Sequence, residues 1–329
     1  MKPCRLVTFF PFIAAAAAAV LSAGALPVRA ESPAPAAVVR SPWNVRDHVP
    51  LQDFIIQSHR GAGELAEENT LEAFELGWSL GTIPEADVRT TKDGVIVAFH
   101  DNDFSRVVKD VPDSLKKKGV ADVGYDDLMH LDVGSWKGEA FKGRRVCRMK
   151  DIYERMAGHP ERRLYLDFKN VDPRRLASEV KAAGVEKQVI LASSKHPILR
   201  EWRGLVPQSG TLLWISGTQE DKRKAVEAAR ATGFAGITQI QIHVRLPGDA
   251  KDVQPGEPFS PSRAFLAELS PELARRGILF QTLPYGVTDP AIYQQLLDAG
   301  LASFATDHPK VTLEAVRGYY EAVKAKPWP

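Results

Sequence analysis

Cysteine is almost absent from this 329-residue chain, which carries only Cys4 and Cys147. Cys4 precedes an apolar leader. Once that leader is removed a single thiol remains, no internal disulfide can form, and the fold must be held by its core. Net charge is equally scarce: 43 basic against 41 acidic residues give +2 at pH 7. No basic stripe with interleaved aromatics occurs, which argues against a nucleic-acid partner. No Gly-rich turn follows the first predicted strand, so a dinucleotide-binding fold is not supported. No long amphipathic helix offers a dimer seam, and a monomer is the expected state.

What is present begins with the leader. Lys2 and Arg5 give a positive start, Phe9 to Leu26 form an Ala-rich apolar run, and Val28-Arg29-Ala30 reads as a small-residue cleavage site. A retained anchor is the competing reading, but Pro11 and Gly24 leave too short a stretch for a stable span of about 20 residues. Residues 1–30 are therefore expected to be a signal peptide, with a periplasmic or secreted mature protein and no membrane span after cleavage. Removing Lys2, Arg5 and Arg29 takes the charge from +2 to 2 − 3 = −1.

Residues 31–52, rich in Pro and Ala, read as a linker or N-terminal arm. From Asp53 strand and helix signals alternate. Strands are predicted at 54–58, 83–89 with an extension at 95–99, 163–168, 188–193, 210–215, 234–241, 278–283 and 302–306. Helical patterns fall at 149–157, 173–183, 220–232, 261–275, 289–299 and 309–324. A further helix is predicted to start at Asn69-Thr70-Leu71-Glu72, which resembles a capping box, with an apolar face at Leu71, Phe74 and Trp78. Alternation implies a parallel sheet, and eight strand units favour closure into a (β/α)8 TIM barrel spanning 53–325. Residues 101–147 exceed an ordinary βα loop and read as an insertion after the second strand. Residues 244–260 form a Pro/Gly-rich loop of the kind that binds or covers a site.

Catalytic groups in such a barrel belong at the C-terminal ends of the strands. The first strand ends in His59-Arg60-Gly61, the second carries Glu85 and Asp87 and its extension ends in His100-Asp101, and the third carries Asp167 and Lys169. Residues two apart on a strand share a face, so Glu85 and Asp87 lie side by side, as do Asp167 and Lys169. Neighbouring carboxylates in a half-buried strand repel each other and are costly to desolvate. A hard cation such as Mg2+ or Ca2+ relieves that cost. A salt-bridge network with Arg60, Arg89 and Lys169 does so equally well, and the residues alone do not choose.

Read together, His59-Arg60-Gly61, Glu68-Asn69-Thr70, Glu85-x-Asp87-Val88, Thr91-Lys92-Asp93-Gly94 and His100-Asp101 resemble the glycerophosphodiester phosphodiesterase family. The likeness continues through Leu131-Asp132-Val133-Gly134-Ser135, Leu166-Asp167-Phe168-Lys169 and Thr306-Asp307-His308-Pro309, in family order over about residues 54–310. The resemblance implies a small-molecule phosphodiester substrate. It implies Glu85, Asp87 and Asp167 as ligands of one divalent metal (Mg2+ or Ca2+), His59 and His100 as acid and base, and Arg60 and Lys169 on phosphate oxygens. It also implies attack by a neighbouring substrate hydroxyl, giving a cyclic phosphate that water opens. Asp101 is read as orienting His100 or a turn, Asp307 as a helix cap or barrel closure, and Asn69 as a helix cap or a brace for the loop after His59. His243 and the remaining histidines are read as structural.

The sequence departs from the family pattern at three places. Asp167 stands where the family has glutamate, a substitution shared with sphingomyelinase D-like phospholipases. Glu67 stands where the family has proline, adding negative charge beside the first loop. Phe280-Gln281-Thr282-Leu283-Pro284-Tyr285 replaces a Trp-containing strand end and removes a flat contact surface. Two alternatives to hydrolysis of a glycerophosphodiester follow: a phospholipase D-like lyase releasing a cyclic phosphate, and a non-catalytic envelope protein binding phosphorylated or sugar ligands.

Overall fold

The computed structural model describes residues 39–324. The predicted leader at 1–30 and the first part of the 31–52 segment lie outside the described residues. Strands β1 (Ile55–Ser58), β2 (Ile83–Thr90), β4 (Leu164–Asn170), β5 (Val189–Ser193), β6 (Gly210–Ile215), β7 (Gln239–Val244), β8 (Leu279–Pro284) and β9 (Ser303–Thr306) pair in parallel, while β3 (Ile96–Ala98) runs antiparallel on β2. β1 pairs with both β2 and β9, which closes eight parallel strands into a barrel. Closure removes the free edges that eight strands would otherwise expose.

The helices are α1 (Leu71–Ser79), α2 (Tyr125–Leu128), α3 (Met149–Met156), α4 (Pro173–Ala183), α5 (His196–Leu205), α6 (Gln219–Ala231), α7 (Arg263–Arg275), α8 (Pro290–Asp298) and α9 (Pro309–Lys324). Alternation along each strand sets the two layers. On β7, Ile240 and Ile242 face the helices with the main apolar core, while Gln239, Gln241 and His243 point inward. The inner layer is unusually polar. Gln241 donates to Gln281 at 2.5 Å, Gln281 to Ser303 at 2.9 Å, and the Tyr165 hydroxyl to Gln239 at 2.8 Å. These amides and hydroxyls satisfy one another, so a floor of buried polar groups lies under the barrel mouth at little cost.

That polar lining explains a correction. Strand β7, the sixth of the eight barrel strands, was expected at 234–241 and occupies Gln239–Val244. Phe234 and Gly236 both have positive φ and form the preceding turn, whereas the glutamines of the true strand weaken its apolar signature. Helix α5 carries no sequence assignment above. Its Pro197 lies in the first turn, where a missing N–H leaves no intrahelical bond unmade. The α1 cap is also displaced by one residue: Thr70, not Asn69, accepts the Ala73 N–H, and Glu72 pairs outward with Arg144 at 2.8 Å.

The insertion that follows β3 builds its own small core. Phe99, Phe104, Val107, Leu128, Leu131 and Val133 are among the buried residues it gathers, with Trp136 packed against them. At the start of the described chain, Trp43 and Val45 pack on the main core and Asn44 donates to the Tyr319 hydroxyl on α9 at 2.6 Å. No helix among the described residues is long and apolar enough to cross a membrane.

Candidate active site

The site is assembled at the C-terminal ends of β1, β2 and β4, which are neighbours in the ring. Glu85 and Asp87 point into the barrel from β2, and Asp87 lies in register with Asp167 on β4. One carboxylate oxygen from each of Glu85, Asp87 and Asp167 lies within 4.8 Å of the others. Lys169, two residues beyond Asp167 on the same face, puts its ammonium 2.5 Å from Asp167 and 3.1 Å from Asp87. Arg60, expected in the salt-bridge alternative, pairs mainly with Glu68 at 3.1 Å, reaches Asp87 only at 3.9 Å, and donates its backbone N–H to Glu85 at 2.8 Å. Arg89 turns away altogether and donates to the carbonyls of Phe99 and His100. Among the described residues Lys169 is therefore the one cation in close contact with the trio, and it touches two of the three acids.

The electrostatic state of the trio follows from that shortage. Burial first, then the Asp87 charge, pushes Glu85 well above the usual carboxylate range. Burial works the same way on Asp87, but Lys169, His100, Arg60 and the Asn69 amide outweigh it and hold that carboxyl low. Asp167 is raised by burial despite Lys169. Glu85 Oε1 is buried with no hydrogen-bond partner among the described residues. A set of three oxygen donors, one of them orphaned and raised, fits a divalent cation.

Both histidines have a carboxylate on Nδ1. Asp307 binds His59 Nδ1 at 2.6 Å, leaving Nε2 directed into the cleft 3.9 Å from Glu85. Asp101 binds His100 Nδ1 at 2.6 Å. A carboxylate on Nδ1 fixes the tautomer and presents Nε2 for proton exchange. Burial pulls His59 down, but the Asp307 hydrogen bond and the Glu85 and Asp307 charges overcome it, so the imidazole sits above its ordinary value.

Asp307, read in the sequence as a cap or as closing the barrel, does tie the closing seam, where its carbonyl accepts the Glu64 N–H at 2.7 Å. Its carboxylate there also engages His59, a contact the sequence did not indicate. It lies 248 residues from His59, and only closure of the β1–β9 seam brings the two together. Gly63 makes the junction tight: a Cβ there would sit 2.3 Å from the Asp307 carbonyl oxygen. Asn69 is a site residue rather than the cap, and its backbone N–H donates to the Arg60 carbonyl, in the loop after His59, at 2.9 Å. Its amide donates to Asp87 at 2.8 Å and accepts the Asp87 backbone N–H at 3.0 Å, with its own φ at 56°. Glu67 adds no free charge, because Thr70 donates to it at 2.6 Å and Arg144 lies 3.1 Å away.

An ionic relay joins the insertion to this centre. Arg106 donates to Asp101 at 2.6 Å and clamps both Glu68 oxygens, at 2.5 and 2.7 Å. Asp101 holds His100 and Glu68 holds Arg60, so one guanidinium positions a group on each side of the cleft. Arg106→Ala is expected to lower kcat about tenfold through loss of alignment, with a smaller change in KM. Arg106→Lys should recover little, because an ammonium lacks the fork that spans both acids. An equal loss in kcat for Arg106→Ala and wild-type-like kinetics for Arg106→Lys would show that charge alone matters.

The cleft encloses about 310 Å³. Its far wall is aromatic. Trp214 on β6 and His243 on β7 stack with centroids 5.4 Å apart and planes within 6°, and Tyr285 meets His243 edge-on at 5.2 Å. Trp214 Nε1 also donates to Asp167 at 3.1 Å. The flat surface expected to be missing from β8 is thus supplied by β6, and Gln281 lies below in the polar floor. His243, read as structural, lines the cleft; burial and then the positive charge of Arg245 push it down to about 3, so it is neutral.

The family model described as "Glycerophosphoryl diester phosphodiesterase family" matches residues 59–311. A glycerophosphodiester phosphodiesterase of Caldanaerobacter subterraneus is 24% identical over 275 residues, covering 80% of this chain and 98% of that protein. One from Bacillus subtilis is 24% identical over 281 residues, covering 80% and 86%. Among solved structures, an Oleispira antarctica phosphodiesterase in complex with the product sn-glycerol-3-phosphate superposes with a TM-score of 0.60 at 19% identity. That match covers 80% of this chain and 96% of the other.

Proposed function

This chain is an enzyme of the glycerophosphoryl diester phosphodiesterase family, and from that premise we propose that it hydrolyses glycerophosphodiesters to an alcohol and glycerol phosphate. The proposal assigns acid–base work to His59 and His100 and one divalent cation, Mg2+ or Ca2+, to Glu85, Asp87 and Asp167. The observation that carries it is the pair of imidazoles, each oriented by a carboxylate at 2.6 Å, beside three clustered acids, two of them buried, in which Glu85 Oε1 has no partner among the described residues.

A phosphodiester resists attack because its non-bridging oxygens repel the incoming oxygen and its leaving alkoxide is basic. The bound cation would neutralise those oxygens and raise the electrophilicity of phosphorus. Arg60, whose guanidinium already faces Glu68 at the cleft edge, and Lys169 hold the phosphate against rotation. One imidazole accepts the proton of the attacking hydroxyl as the new P–O bond forms. The other, protonated, gives its Nε2 proton to the departing oxygen as the old P–O bond breaks. Charge is balanced, and the two imidazoles end with exchanged protonation states. Water then attacks the cyclic ester with the roles reversed. It loses its proton to the neutral imidazole while the protonated one protonates the departing ring oxygen, which gives glycerol phosphate and restores both rings. The stacked Trp214–His243 pair gives the departing alcohol a dry, flat wall.

The deciding assay presents residues 31–329 with glycerophosphocholine, glycerophosphoethanolamine and glycerophosphoinositol in the presence of Mg2+, Ca2+ or chelator, read by phosphorus NMR. Accumulation of glycerol phosphate supports the hydrolase, whereas a persistent cyclic ester would replace it with the lyase. Export is part of the proposal and rests on the Lys2/Arg5 start, the apolar run and the Val28-Arg29-Ala30 site. Recovery of mature protein beginning at or near Glu31 from the culture's envelope fraction supports it, and an uncleaved cytoplasmic chain would refute it.

A further inference from the structure

The parity that puts Glu85 and Asp87 on one face of β2 also runs up β7. Gln239, Gln241 and His243 point inward, and the next residue of that series is Arg245, immediately past the strand end and lining the same cleft. In the closed ring β1-β2-β4-β5-β6-β7-β8-β9, β7 stands four steps from β2 in either direction, directly across the mouth from the acid trio. A cation thus faces the phosphate site from the opposite rim.

Its surroundings distinguish Arg245 from the other arginines of the site. Arg60 and Arg106 are committed to carboxylates. Among the described residues no carboxylate lies within ion-pair distance of the half-buried Arg245. Its guanidinium instead lies over the Tyr285 ring, 4.1 Å from the centroid. Its backbone is clamped to the 244–260 loop by reciprocal bonds to Ser260, at 3.0 and 2.9 Å. Asp252, the acid of that loop whose charge acts on nearby Lys222, accepts the Gln219 N–H at 2.5 Å. An arginine stacked on an aromatic and fixed at its Cα keeps its donors oriented and unused, as recognition of an anion requires.

We propose that Arg245 forms a second anion subsite, selecting diesters whose alcohol moiety carries a carboxylate or phosphate over those with a neutral or quaternary ammonium group. The inference rests on the phosphodiesterase reading and deepens it by naming the class of alcohol. With the diester phosphorus at the β1–β2–β4 ends, the alcohol crosses the cleft along the Trp214–His243 stack, and its anionic end meets Arg245. His243, being neutral, neither helps nor opposes. A trimethylammonium headgroup in the same position would face the guanidinium and be repelled.

The test compares kcat/KM for glycerophosphoglycerol, glycerophosphoglycerol phosphate, glycerophosphoserine and glycerophosphocholine in the wild type, Arg245→Gln and Arg245→Lys. The quantity read is the ratio of each charged substrate to glycerophosphoglycerol within one enzyme. In the wild type the terminal phosphate should be preferred about tenfold or more over the neutral alcohol, with choline the poorest. Arg245→Gln should remove about tenfold of that preference and Arg245→Lys should keep part of it. Preference for the serine diester as well would assign the subsite to any anion, and preference for the phosphate alone would narrow it to phosphomonoesters. Ratios that do not move in Arg245→Gln, or a wild type that prefers choline, would overturn the inference while leaving the hydrolase intact. If the wild type cleaves none of the four, the hydrolase reading fails and the subsite falls with it.

Discussion

His59→Gln is expected to lower kcat by about 10²- to 10⁴-fold, the usual cost of deleting a positioned acid or base. Asp307→Asn should cost less and do something more informative. The Asp307 carboxylate sits 2.6 Å from His59 Nδ1, and it counters the burial that would otherwise lower the imidazole. Replacing it with a neutral amide removes a negative charge that favours the protonated ring, so the His59 pKa falls. The limb of the kcat/KM profile that His59 controls must therefore move to lower pH. An acid limb that moves identifies His59 as the base that takes the attacking hydroxyl's proton; an alkaline limb that moves identifies it as the acid that protonates the departing oxygen. His100, oriented by Asp101, should answer for the other limb. A profile unchanged by Asp307→Asn would show that the contact does not tune His59.

Chelation is expected to remove at least about a hundredfold of the activity, and the protein should register the cation without any substrate. At a concentration near a hundred times Kd, binding to the folded state alone contributes about 2.7 kcal/mol. For a chain of this size that raises Tm by about 5 °C. Glu85→Gln should abolish the metal-dependent rise. Stripped of metal, the same variant should melt above the stripped wild type, because it relieves a buried acid beside Asp87 which, among the described residues, has no cation in close contact and whose Oε1 is unpaired. The pH dependence has a definite sign. Glu85 is raised above the ordinary carboxylate value, so cation binding expels its proton, and affinity must weaken as the pH falls through that raised value. A Tm rise of equal size in wild type and Glu85→Gln would remove Glu85 from the ligand set.

Much of this was legible in the chain because short-range rules govern it. Two-residue spacing placed Glu85 with Asp87 and Asp167 with Lys169, and strand ends gathered His59 and His100 at the same mouth. What escaped was long-range or disguised. Nothing local marks Asp307 as the partner of His59, since the contact exists only across the seam. Asn69 reads as a cap because the helix does start beside it, yet its left-handed backbone turns the amide toward Asp87. The β7 register slipped because glutamines line a barrel interior where branched aliphatics are the rule. The same glutamines concealed that His243 and Arg245 continue an inward-facing series into the cleft.

The seam between β1 and β9 also sets an order of events. The first barrel strand has no partner on one side until the last has been made, so its ladder is completed by contacts of very long sequence separation, which fold slowly. His59 acquires Asp307 at that same moment. Catalytic competence is therefore expected to depend on the two ends being joined, and to be lost when they part. Turnover should vanish ahead of helical circular dichroism during mild denaturation, making the enzyme a sensitive indicator of its own ring closure.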